Sequence, residues 1–378
     1  MNFVRFVKTP RVSQTPEGTQ QPYSYFTTLP PCDRTLSTIL TITSDFSPFP
    51  SSAPLLCSVV SPDGTVIARK EVDWTSESRE LKLDFLLPND VPSGKIVVRH
   101  LASGSATSNE VLADFLHGNG THVVGIATAT FPFDVDSKSG DTVYRRFMVP
   151  RGPLTFAEQA GETIIRHVWD AGILLASTLC SSSISMIPDE LQGFVKKTFN
   201  PVPKNILELG TGVGVLGICI AAQYPRINVV VTDLPDARDL VEENILINVS
   251  PTSHIQRNVS FRPLDWEQRP FPPWTETDKF DVIVMADVTY NSSTFEALAD
   301  TLEHLLRTGS KDAKVVCCAK RRHIEEEEFW KIVQQRGFVI QMRIVFAMDL
   351  TGNFRCSDTA SDKEGEQLID FITMSIPS

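Results

Sequence analysis

The stretch ILELGTGVGVLGICIA, residues 206–221, lays two glycine patterns over each other. Gly212, Gly214 and Gly217 form G-x-G-x-x-G, a spacing that lets backbone approach a dinucleotide pyrophosphate at a helix N-terminus. Glu208, Gly210, Gly212 and Gly214 form E-x-G-x-G-x-G, which suits a ligand with cationic groups near a carboxylate. Both patterns need a strand before and a helix after. Under the dinucleotide reading Asp233 falls about 20 residues on, where a ribose-binding acid belongs. The strand NILEL is nevertheless complete at Leu209, which leaves Gly210-Thr211 surplus before the first required glycine. Glu208 would also set a carboxylate beside a pyrophosphate, against the anion preference of a helix N-terminus. S-adenosylmethionine has no pyrophosphate. Its ammonium and sulfonium favour a nearby carboxylate, and backbone N–H groups of the loop Gly210-Thr211-Gly212-x-Gly214 can hold its own carboxylate. Asp233 can take both ribose hydroxyls. The residues therefore favour a methyl donor over a nicotinamide cofactor.

Two kinds of chain surround this site. From 37 to 149 the segments are short, β-branched and broken by turns: STILTITSD alternates, and Pro62-Asp63-Gly64 between two apolar runs signals a hairpin. This predicts a small antiparallel β domain, with a packing or partner-binding role, after a disordered lead-in over 1–36. From 150 to 378 strands alternate with helical patterns. KNILEL, INVVVTD, VSFRPLDW, FDVIVMAD and AKVVCCA read as strands with helices between them. FVIQMRIVFAM and QLIDFITMSI, joined by the acidic loop SDTASDKEGE, close the domain as an antiparallel hairpin. The expectation is an α/β, Rossmann-like sheet of seven strands behind a small mostly-β domain. Glu325–Glu328 reads as a solvated helix start.

Composition excludes several classes. The 378 residues carry a net charge of −11, which disfavours a nucleic-acid surface needing basic groups against phosphate. Seven cysteines occur without C-x-x-C or Cys/His ligand spacing, so neither zinc nor a disulfide framework is indicated. No run reaches the roughly 18 apolar residues that span a bilayer, and the first residues lack a signal-peptide core. A soluble protein of the cytoplasm, or the nucleus, with reduced thiols is expected.

Residues 160–345 resemble the seven-β-strand (class I) S-adenosylmethionine-dependent methyltransferases of the family-16 type, whose members mostly methylate lysine in elongation factors, chaperones and similar proteins. The pieces occur in family order. VWDAGILLA at 168–176 is similar to the entry helix, LELGTGVGVLG to motif I, and VTDLP to the acidic end of the second strand. LDW at 264–266, DVTY at 287–290 and AKRRHIEEEEFW after the fifth strand complete the set. The resemblance implies that Trp169 borders the cofactor and that Trp266 lies against adenine, with Asp265 or nearby backbone at its amine. It also implies that the small Ala286 lies where the fourth strand reaches the cofactor. Plain packing would serve for Trp169, Trp266 and Ala286 as well.

Asp287 and Tyr290 are the candidate catalytic pair. Methyl transfer needs a neutral amine, whereas free lysine has a pKa of about 10.4. Asp287 can position the amine through its N–H groups, and Tyr290 can offer a ring face to the alkylammonium and a hydroxyl to its proton. A helix N-cap is the alternative role for Asp287. Val288-Thr289 replace the two prolines of nucleic-acid amino-methyltransferases, so a protein lysine is the expected acceptor, in a translation factor or chaperone. A small-molecule amine, or cofactor binding without turnover, remain the alternatives.

Overall fold

The computed structural model describes residues 2–15, 33–43, 52–75, 77, 80–100, 110–111, 123–124, 126–159, 164–180, 187–199, 205–249, 255–348, 354–357 and 367–377. It falls into two compact units. The first takes Met1–Glu110, Gly120–Arg146 and Ala157–Glu162; the second takes Val111–Asn119, Phe147–Phe156 and Thr163–Ser378.

The second unit is built on one sheet. Its strands are β1 (Asn205–Leu209), β2 (Asn228–Asp233), β3 (Val259–Pro263), β4 (Val282–Ala286), β5 (Lys314–Lys320), β6 (Val339–Met348), β7 (Phe354–Ser357) and β8 (Gln367–Ser375). They lie side by side in the order β3-β2-β1-β4-β5-β8-β6-β7. Strands β1 to β5 are parallel, and β8 runs antiparallel between β5 and β6. Both faces of the parallel part are covered, which is why VIVMA and KVVCCAK read as continuous apolar runs. Successive residues point to opposite faces. Leu207, Leu209, Ile283, Met285, Val315 and Cys317 pack with Phe295, Leu298, Leu302 and Phe329. Those partners come from helices Phe295–Thr308 and Glu327–Gln335. Helices α1 (Asp170–Cys180) and α2 (Val215–Gln223) pack together, α1 also against β4 and β5 and α2 also against β2.

Strand order reverses between β1 and β4, which pair from Ile206↔Val282 to Leu209↔Met285. Open α/β sheets bind ligands at the carboxyl ends of strands at such a switch point. Gly210 and Asp287 emerge there.

The sheet has eight strands where the sequence suggests seven. The extra one, β7, lies inside the segment expected to be a plain loop, and pairs Phe354–Ser357 with Met348–Val345. Four residues are too few for a period-2 pattern to show. Most of the acidic loop, 358–366, lies outside the described residues.

In the first unit a four-stranded sheet, Leu81–Leu87, Arg34–Thr43, Asn2–Gln14 and Val123–Val124 in spatial order, shares a core with a second sheet holding Ser52–Val60, Val66–Thr75 and Ser93–His100. Leu36, Leu40, Leu55, Cys57, Trp74, Phe85, Ile96 and Val98 form that core, a β-sandwich. The Pro62-Asp63-Gly64 hairpin forms, with Gly64 at φ 93°. The disordered lead-in over 1–36 is corrected: Asn2–Gln14 is a strand, paired antiparallel with Arg34–Thr43, and Val12 is fully buried. Its register shifts between Phe6 and Arg11 bracket Pro10, which lacks a ladder donor. Pairing with a strand some thirty residues away is a long-range gain that local composition does not reveal. The span 16–32 lies outside the described residues.

Helix α2 depends on Gly217. A Cβ there would collide with Val231 Cγ1 and stand 2.6 Å from Glu208 Oε2. Gly217→Ala should lower stability by about 1–3 kcal/mol through overpacking, read as a lower urea midpoint with unchanged slope.

Candidate active site

The loop after β1 runs in left-handed backbone at Gly210 (φ 65°), Gly212 (φ 56°) and Gly214 (φ 88°), where any side chain is strained. A Cβ at Gly210 would also collide with Val288 Cγ1 and lie 3.5 Å from Trp266 Cζ2. The loop is fixed from three sides. Thr211 N–H donates to the Thr232 carbonyl at 2.9 Å, and Gly214 N–H to the Thr211 carbonyl at 2.9 Å. Gly212 N–H donates to Asp233 Oδ2 at 2.8 Å. Leu234 N–H holds Asp233 Oδ1 at 2.8 Å, so the carboxylate at the end of β2 is oriented before any ligand arrives. Burial raises the Asp233 carboxyl above its ordinary range, against the two backbone donors.

Glu208 does not face this opening. Its Oε2 accepts from Thr211 Oγ1 at 2.8 Å and from Gly217 N–H at 2.9 Å, joining the loop to α2. Desolvation pushes its carboxyl up to about 8. The sequence argument of a carboxylate facing the donor's cations is therefore corrected: the side chain is buried under the loop, because the free helix N–H of Gly217 and the Thr211 hydroxyl compete for it.

The other cofactor candidates separate. Trp266 packs beside the glycine loop, and its buried Nε1 has no hydrogen-bond partner. Asp265 instead closes its own turn, Oδ1 accepting from Glu267 N–H at 2.9 Å. Trp169 is half-buried and donates Nε1 to the Ile164 carbonyl at 3.0 Å. Ala286 ends β4, opposite Cys318.

Asp287 has partners other than an acceptor amine. It sits at φ 55°, buried, and Oδ1 accepts from Arg322 Nη1 at 2.9 Å and Lys320 N–H at 3.1 Å. Oδ2 accepts from Arg322 Nη2 at 3.1 Å and, at the start of α1, from Ala171 N–H at 3.3 Å. These fill the roughly four lone-pair sites of a carboxylate. Tyr290 is half exposed, and burial, followed by the charge of Asp233, raises its phenol.

Sequence reasoning passed over the three consecutive cations that end β5. Lys320 Nζ meets Asp170 at 2.6 Å, both fully buried. Arg321 grips Asp370 of β8 at 2.6 and 2.8 Å, and Arg322 grips Asp287. Burial would raise Asp370, yet Arg321 and Arg343 together hold its carboxyl below the ordinary range. The acidic run is not uniformly solvated either. Glu326 is buried, and its Oε2 accepts from Arg322 N–H at 3.0 Å. Three adjacent cations followed by acids on a buried strand end were the available signal, since such charges are seldom buried unpaired.

The open glycine loop, the oriented Asp233 and the unpartnered Trp266 donor fit a nucleoside-bearing methyl donor. Fold and site together define a class I S-adenosylmethionine-dependent methyltransferase. A family model described as lysine methyltransferase matches residues 149–336. Protein N-lysine methyltransferase METTL21A of Mus musculus is 30% identical over 46% of this chain and 68% of its own. The chain belongs to the lysine methyltransferase family. A UPF0665 family protein of Schizosaccharomyces pombe is 29% identical over 78% of this chain and 85% of its own, and EEF1A lysine methyltransferase 3 of Mus musculus 30% over 38% and 51%.

Two measurements check this geometry. Asp233→Ala should weaken S-adenosylhomocysteine binding in calorimetry by about 1–3 kcal/mol, the cost of losing a charged hydrogen-bond partner; unchanged affinity would misplace the ribose. Glu208, raised in the fold, contributes stability that is present at low pH and lost as pH climbs toward about 8. Glu208→Gln keeps both accepted bonds without titrating, so its stability relative to the native protein should rise between pH 5 and pH 9 in denaturant titrations.

Proposed function

We propose that this chain transfers a methyl group from S-adenosylmethionine to the ε-amine of a lysine on a protein inside the cell, with a translation factor as the substrate class. When bound, the cofactor supplies an electrophilic methyl on a positively charged sulfur. The glycine loop 210–214, which leaves room for close approach, and the Asp233 carboxylate bind it, and Trp266 lies beside the loop. The acceptor nitrogen must arrive with its lone pair free and lose a proton on methylation.

The observation that carries this reading is Tyr290. It is half exposed and follows β4 by four residues, on the side of the sheet where the strand order reverses, so its ring is open to an alkyl amine. Asp287 shapes the turn one residue past β4. The relative named for EEF1A supports the translation-factor class. The described cysteines Cys57, Cys180, Cys219, Cys317, Cys318 and Cys356 are free thiols, which suits a reducing compartment, and no helix among the described residues is long and apolar enough to cross a membrane.

Purified protein with tritiated methyl donor should label a protein in a cell lysate, with the label on lysine after hydrolysis. Tyr290→Phe keeps the ring and should retain more activity than Tyr290→Ala, which loses about 0.5–2 kcal/mol of cation attraction. Label recovered only on small molecules would overturn the protein acceptor.

A further inference from the structure

The search leaves one group that the chemistry above does not use. Arg322 is nearly buried, meets Asp287 through both Nη atoms, and lies 5.9 Å from the Trp169 ring. Its backbone N–H is held by Glu326. A buried, two-pronged ion pair one residue past the strand that carries the acceptor side is a costly feature if it only closes a turn, because an uncharged residue could cap α1 as well.

We propose that Arg322 is a positioning residue that cancels the charge of Asp287, so that the acceptor lysine enters as the free amine. The inference rests on the lysine reading above. An uncompensated carboxylate near the acceptor would hold it as the ammonium, which has no lone pair to give, while a fixed guanidinium favours the neutral form. Arginine suits this because it stays charged at every working pH.

The other charges around Asp287 are already assigned. From β5, Lys320 offers its N–H to Asp287 and its ammonium to Asp170. The thiols of Cys317 and Cys318 are pushed well up by burial and stay neutral. From the turn after β5, burial raises the carboxyl of Glu326, which contacts Arg322 and not Asp287. From α1 only the Ala171 N–H reaches Asp287, and beyond it along the chain lies Tyr290. Arg322 is thus the cation set to answer Asp287.

The experiment uses the full-length protein, tritiated methyl donor and a dialysed cell lysate as acceptor, with rate followed from pH 6 to pH 10. Arg322→Gln should move the midpoint of the rising limb up by about one pH unit, so that labelling falls about tenfold at pH 7 and recovers toward pH 10. Arg322→Lys keeps the charge and should keep the native midpoint even if its rate falls. S-adenosylhomocysteine affinity by calorimetry should stay within about threefold in both variants, because the nucleoside side is untouched. A lower rate with an unmoved midpoint in Arg322→Gln would overturn the proposal. Should that variant not fold, a displaced midpoint in Arg322→Lys would do the same. Absence of protein labelling by the native enzyme at any pH would instead overturn the lysine reading itself.

Discussion

The end of β5 is the constraint on which the acceptor side depends. Lys320, Arg321 and Arg322 are adjacent in sequence and reach three different acids: Asp170 at the start of α1, Asp370 on β8 and Asp287 after β4. Lys320 is the last residue of β5 and Arg321 and Arg322 follow it out of the strand, so three neighbours in sequence tie three separate elements together. Each buried pair is of small net worth against an apolar replacement, but removing one partner strands a charge at about 3–5 kcal/mol. The arrangement is graded: Asp370 is shared with Arg343, whereas Arg322 holds Asp287 through both Nη atoms. It holds Asp287 at a φ of 55°, a conformation a non-glycine residue keeps only when its surroundings over-determine it.

The donor side is organised by the opposite means. There the loop is held by its own backbone N–H groups, by Asp233 accepting from Gly212 N–H, and by Glu208 accepting from the Thr211 hydroxyl from below. Glu208 exchanges solvent for two hydrogen bonds, and burial keeps it largely protonated near neutrality. Asp233 is the carboxylate that two backbone N–H groups hold in place at the end of β2. Gly210 and Asp287 each follow a strand at the switch point between β1 and β4, where sheet topology opens a crevice.

Much of this was legible in the sequence, because the parallel strands are buried on both faces and so appear as apolar runs. The glycines of the loop after β1 were legible for a related reason: left-handed backbone and close approach leave little choice of residue. Three things were not legible. The strand Asn2–Gln14 mixes apolar with basic residues and is interrupted by Pro10, and its pairing with Arg34–Thr43 is what reveals it. Glu208 points under the loop, since the competition between a ligand and a helix N–H is decided by packing. The partners of Asp287 come from residues 171, 320 and 322, and long-range ion pairing leaves no local pattern beyond an unusual run of charge.

The central claim is that Asp287 is committed to Arg322 and the turn instead of to the acceptor amine. A crystal structure of the protein with S-adenosylhomocysteine, at a resolution that places side chains, tests it most directly. The account predicts Asp287 gripped by both Nη atoms of Arg322 and by the Lys320 and Ala171 N–H groups, with Asp233 on the ribose. Arg322 turned out to solvent, with the Asp287 carboxylate facing the cofactor's sulfur, would contradict it.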